Sequence, residues 1–185
     1  EAFAEYSAWR ALGQAKGDAV RTAGMRMNAV WYMYATPAGQ DVAPLSANVT
    51  QKPGFVFVTY HKGPLVLRTL EERVGVEVFT AALKALVARG PGGTGMAELV
   101  ADVKAAGGPD LTADVDQWLK HAGFPKLKVT ASEGGAHWSV ACEGLCSFTL
   151  PVRVRRADGT TSEVKLPIAP GTTEHALPAG GAVET

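Results

Sequence analysis

The stretch Asp116-Gln117-Trp118-Leu119-Lys120-His121-Ala122-Gly123-Phe124-Pro125-Lys126-Leu127-Lys128-Val129 decides the fold class, because the hydrophobic period changes inside it. Up to Gly123, Leu111, Val115, Trp118 and Leu119 recur at helical spacing. After Pro125, Leu127 and Val129 alternate with Lys126, Lys128 and Thr130, the period of a half-buried strand. The predicted class is therefore α+β, with a helical part over 1–123 and a β part over 124–185.

Working back from this boundary, Phe3, Tyr6, Trp9 and Leu12 give a first helix one apolar face before Gly17 interrupts it. Asp18 opens a second helix that runs to about Tyr34. Pro37, Pro44 and Pro53 mark a long irregular segment with a short apolar run, Phe55 to Val58, and a loop of that length is more often functional than neutral. Helix is predicted to return at Pro64, whose fixed φ suits a first turn, and to stop at Gly75. Val78, Phe79, Ala82, Leu83, Leu86 and Val87 form the next stripe, ending at Gly90-Pro91. Thr94 precedes a helix carrying Met96, Leu99, Val100 and Val103.

Working forward, Trp138 and Val140 alternate, as do Phe148, Leu150, Val152 and Val154. Asp158-Gly159 predicts a hairpin, and Val164, Leu166 and Ile168 continue beyond it. Four to five strands imply one antiparallel sheet or most of a β-sandwich. Cys142 falls on the inward side with Trp138 and Val140, and Cys146 with Phe148 and Leu150, across a turn at Glu143–Leu145. A bridge and two buried thiols both fit, and the spacing tilts slightly toward the bridge.

Eighteen basic residues balance eighteen acidic ones, which gives no electrostatic case for nucleic acid or an anionic membrane as partner. No apolar stretch is long enough to cross a bilayer. The chain opens on Glu1 rather than Met, so the lack of a leader says nothing about compartment. Two cysteines cannot close a structural zinc cage of four ligands. His61, His121, His137 and His175 are scattered without metal-ligand spacing, His121 being placed in a last helical turn. There is no H-E-x-x-H, phosphate-binding loop or nucleophile elbow. The most unusual local feature is Tyr60-His61-Lys62-Gly63, a phenol, an imidazole and an amine at the mouth of a helix.

Glu1-Ala2-Phe3-Ala4-Glu5-Tyr6 resembles the N-E-G-F-A-x-Y segment of M1 (gluzincin) zinc aminopeptidases, departing from it at Ala2, where glycine is usual. Tyr60-His61-Lys62-Gly63 with Val66, Leu67 and Leu70 is similar to that family's Y-x-K-G-x-x-V-L-x-x-L. Asp116-Gln117-Trp118 and Gly123-Phe124-Pro125-Lys126-Leu127-Lys128-Val129 resemble its D-Q-W and G-Y-P-x-L-x-V. These segments occur in the family's order and span residues 1 to about 129.

The resemblance implies that 1–123 is the helical C-terminal half of a thermolysin-like catalytic domain. It implies that 124–185 is the small antiparallel β-sandwich-like domain behind it, with room for truncation. It assigns Glu1 as the third zinc ligand, with two histidines expected upstream, and Tyr60 as the donor to the oxyanion of the cleaved peptide. Lys62 and Gly63 are assigned to the turn that carries the phenol, and His61 has no role. The expected activity is removal of N-terminal residues from peptides by zinc-activated water. The chain by itself, without the upstream half that would be its partner, is expected to be inactive. The alternative is a non-catalytic M1-like scaffold or interaction module.

Overall fold

In the computed structural model, residues 1–35, 54–90, 92, 95–132, 137–156, 158–176 and 181–184 are described. The expected loop carrying Pro37, Pro44 and Pro53, and Thr94 as a helix start, lie outside these residues. The architecture is α+β: six α-helices and two small antiparallel sheets. The chain divides into two compact units, Glu1–Gly123 and Phe124–Thr185.

The helical unit opens with α1 (Ala2–Lys16) and α2 (Asp18–Ala35), separated by Gly17 at φ 96°. Tyr6 is the fully buried member of α1's apolar face and meets Phe79 edge-on, with ring centroids 5.8 Å apart. On α2, Arg21, Met25, Asn28 and Tyr32 are buried at helical spacing. Its other side leaves Met27, Val30, Trp31, Met33 and Tyr34 exposed.

The helix expected from Pro64 begins earlier, and the apolar run Phe55–Val58, expected in an irregular segment, is helical. Residues 55 and 56 are helical, and Phe57–Lys62 form a π-helical turn that runs directly into α3 (Gly63–Val74). Pro64 supplies the reason. It has no N–H to offer the α-ladder, and its ring would press on the carbonyl of Tyr60. Widening the preceding turn, so that the Gly63 N–H bonds Val58 O, removes that conflict.

Gly75, at φ 88°, stops α3 where expected and starts α4 (Val76–Ala88), which buries Phe79, Ala82 and Leu86. Helix α5 (Met96–Ala105) buries Leu99 and Val103, and Glu98 turns back to accept the Gly95 N–H at 2.9 Å. Helix α6 (Thr112–Lys120) buries Val115 and Trp118. His121 lies just past its end with extended backbone, not within the last turn.

In the β unit, β1 (Lys126–Ala131), β2 (His137–Glu143) and β5 (Gly171–Ala176) form one sheet in the order β1-β2-β5. The other sheet, in the order β4-β3-β6, contains β3 (Phe148–Arg156), β4 (Thr161–Ile168) and β6 (Gly181–Glu184). The Asp158-Gly159 hairpin is present: Asp158 accepts the Thr160 N–H at 2.8 Å, and Val152 faces Val164 across the pair. Trp138, Val140, Cys142, Val152, Val154, Leu166 and Ile168 meet in one core drawn from both sheets. Strand β1 is exposed on both faces, so Leu127 and Val129 are not half-buried as their alternation suggested.

Strands β2 and β3 do not form the expected hairpin, since they belong to different sheets. Residues 144–147 carry the chain across, with Gly144 at φ 88° and Leu145 turned into the interior. Cys142 and Cys146 are bridged, so the bond fastens the end of one sheet to the start of the other. Both half-cystines are buried. Replacing both with alanine should destabilise the β unit by about 2 kcal/mol, the loop-closure value for so short a ring. Amide exchange in β2 and β3 measures this, and unchanged protection would show that the crossing holds without its bond.

Candidate functional site

Glu1 precedes the first turn of α1, and its carbonyl accepts the Glu5 N–H at 3.0 Å. Its carboxylate does not cap that helix. Instead Tyr60 Oη donates to Glu1 Oε2 at 2.8 Å, across 59 residues of sequence. The two residues the resemblance singled out are thus brought together, one at the helix start and one on the π-turn. Phe55 meets the Tyr60 ring edge-on, with centroids 6.0 Å apart.

The hydrogen bond to Glu1 raises the Tyr60 phenol above its ordinary value of 10, with burial and the charges of Glu1 and Glu5 adding to it. The phenol is therefore a protonated donor at neutral pH. Glu5 is itself engaged, accepting the Trp9 Nε1–H at 2.7 Å one turn along α1.

His61 turns toward α2. Its Nδ1 lies 3.1 Å from Oδ1 of the buried Asn28, and its ring lies near those of Trp31 and Phe57. Burial lowers the His61 pKa, against a small opposing effect of Glu5. Lys62 is buried, with Nζ 3.3 Å from the His121 carbonyl and 5.5 Å from the centroid of the Tyr32 ring. Tyr32 donates to the Gly123 carbonyl at 2.8 Å. Lys62 therefore ties the π-turn to the segment leaving α6, a role nothing in its sequence spacing announced.

Gly63 packs directly on α1. A β-carbon built there would stand 2.5 Å from Ala2 Cβ. Only one of these two positions can carry a methyl group, which accounts for Ala2 standing opposite a glycine.

His121 and His137 are exposed, and His175 Nε2 lies 2.9 Å from Thr173 Oγ1. Among the described residues no three His, Cys, Asp or Glu are grouped closely enough to hold a metal ion. Of a two-histidine, one-glutamate zinc set these residues offer the carboxylate alone, from Glu1, and Tyr60 is a hydrogen-bond donor beside it. No helix among the described residues is long and apolar enough to cross a membrane.

No protein-family model matches the chain, and no curated protein sequence matches it. Among solved structures it is similar to aminopeptidase A of Legionella pneumophila, determined in complex with aspartic acid. The TM-score is 0.53 at 17% identity, and the match covers 64% of this chain and 15% of that one. The likeness is one of fold: an aminopeptidase contains a region folded like this.

Two measurements test the site. In ¹³Cζ-tyrosine NMR the Tyr60 signal, identified by its loss in Tyr60→Phe, should titrate above 10, and Glu1→Gln should bring it back toward 10. Because the folded value is the higher one, the contact stabilises the fold below pH 10 and is lost as pH rises through the folded midpoint. An ordinary Tyr60 midpoint in the unsubstituted chain would deny the contact. Separately, Gly63→Ala should force α1 off the π-turn and lower stability by about 1–3 kcal/mol, measured by denaturant unfolding.

Proposed function

We propose that this chain is part of a zinc aminopeptidase of the M1 type. Glu1 would be one zinc ligand and Tyr60 the donor to the oxyanion, with the two histidine ligands supplied from outside this sequence. The observation that carries the reading is the Tyr60–Glu1 hydrogen bond, 2.8 Å long, in a fold similar to that of an aminopeptidase. The M1-like motifs support it: Tyr60-His61-Lys62 closes the π-turn, Gly63 opens α3, and Asp116-Gln117-Trp118 lies on α6. The exposed apolar side of α2 also fits a chain that packs against more protein.

When bound, zinc would acidify its water and polarise the scissile carbonyl. The chain's own residues divide the remaining work. Glu1 offers an anionic oxygen already oriented by Tyr60. A carboxylate engaged by a cation is a weaker acceptor, which frees the phenol proton for the carbonyl oxygen as that oxygen gains charge. A phenol keeps its proton at neutral pH, so Tyr60 remains able to donate in this role. Ala2 against Gly63 keeps the two groups adjacent.

In the full-length protein, Tyr60→Phe should cut kcat by about 10²–10³-fold with zinc content unchanged. Glu1→Gln should lower the zinc content itself. Undiminished turnover in Tyr60→Phe would remove Tyr60 from the chemistry. A full-length protein that neither binds zinc nor cleaves peptides would instead be the non-catalytic scaffold.

A further inference from the structure

Among its described residues the helical unit buries three carboxylates that the proposed chemistry does not use, Glu71, Asp102 and Asp114. Glu71 on α3 is 3% exposed, and it is met from three helices. Arg21 of α2 hydrogen-bonds its Oε2. Arg10 of α1 faces Oε1 at 3.4 Å, an ion pair without hydrogen-bond alignment, and also donates to Thr80 Oγ1 of α4 at 2.6 Å. Arg68, on α3 itself, stands 3.5 Å from Oε2 and also pairs with Glu72. Arg21 lies 3.3 Å from Tyr6 Oη and 5.8 Å from that ring's centroid, joining Tyr6 to the same cluster.

The order of contacts gives this cluster its meaning. Along α1 the contact residues are Glu1, Ala2 and Arg10; along the π-turn and α3 they are Tyr60, Gly63 and Glu71. The order is the same, and eight residues separate the last two contacts on each, so α1 and α3 run alongside each other in the same direction. A slip of α1 by one helical turn, about 5.4 Å, would separate Glu1 from Tyr60. Apolar packing alone resists such a slip weakly, because one methyl contact replaces another. A charge pair does not exchange in this way: a displaced Arg10 leaves a buried carboxylate short of a partner.

We propose that Glu71 is a positioning residue for the Glu1–Tyr60 pair, holding α1 and α3 in the register that brings carboxylate and phenol into contact. This rests on the reading of those two residues as the reactive pair. Glu71 itself touches neither of them. It acts through Arg10, midway along α1, while Ala2 against Gly63 sets the near end.

The test is the contact itself, read as the NOE between the Tyr60 ring and the Glu1 side chain, on the chain without metal or substrate, in Glu71→Gln and Glu71→Asp. In Glu71→Gln that still folds by circular dichroism, the NOE should be lost, and Glu71→Asp should restore part of it. Should Glu71→Gln fail to fold, Arg10→Gln, which leaves Arg21 on the carboxylate, should weaken the NOE likewise. An unchanged NOE in either folded variant overturns the proposal. Because the readout needs no turnover, the two readings fail separately. A lost contact together with full activity in Tyr60→Phe would keep the clamp and discard the peptidase.

Discussion

The helical unit depends on a buried carboxylate that has to be satisfied. Taking a charge such as Glu71 out of water costs several kcal/mol, recovered only when partners with suitable geometry surround it. Arg10, Arg21 and Arg68 do so from α1, α2 and α3, and Arg10 extends the network to Thr80 on α4. Replacing such a cluster with leucines would be close to neutral in stability, by the general behaviour of buried ion pairs. What the charges add is specificity. Phe79 meets Tyr6 through shape alone, whereas Glu71 requires charged partners, which Arg10 on α1 and Arg21 on α2 bring to it here.

The second constraint is covalent and local. Pro64 cannot follow an ordinary α-turn without a clash and a lost hydrogen bond, so the chain widens to a π-turn over Phe57–Lys62. That widening sends consecutive side chains to different neighbours. Tyr60 reaches Glu1 on α1, His61 reaches Asn28 on α2, and Lys62 reaches the His121 carbonyl beyond α6. A regular helix spaces its side chains 100° apart and repeats each face every 3.6 residues. The π-turn breaks that repeat at the segment bearing the phenol.

Much of this was legible in the sequence where the signal is periodic or chemical. The change of period around Gly123, the glycine stops at Gly17 and Gly75, and the Asp158-Gly159 hairpin depend on local preferences, and they appear where the residues put them. The Tyr60 motif singled out a phenol that does sit on a junction. The failures share a different cause. Alternation shows that β2 and β3 are strands but not which strands they pair with, so a hairpin was assumed where the chain changes sheets. The alternation of Leu127 and Val129 likewise carries no information on whether anything covers that face. Proline was read as a helix start because its φ suits one; the same ring also deforms the turn before it, and that effect shows only against the i−4 carbonyl. Glu71 escaped notice because arginines at 10, 21 and 68 have no common spacing with it, and only the packing of three helices gathers them.

The contact between Glu1 and Tyr60 is best understood as preorganisation. A carboxylate at the exposed start of a helix would ordinarily sample many rotamers in water, and a partly exposed phenol would do the same. Each fixes the other here, so the ordering entropy is met during folding rather than at the moment a ligand arrives. The arrangement is also asymmetric in a useful way. The phenol has one proton and the carboxylate has several acceptor sites, so on the proposed reading the pair would pass from self-contact to contact with a cation and a polarised oxygen without either group moving far. Such a pair is only as good as the rods that carry it. The positions that matter most for it therefore include ones outside the contact itself: a glycine that lets two helices touch, a proline that widens a turn, and a buried glutamate that fixes their register.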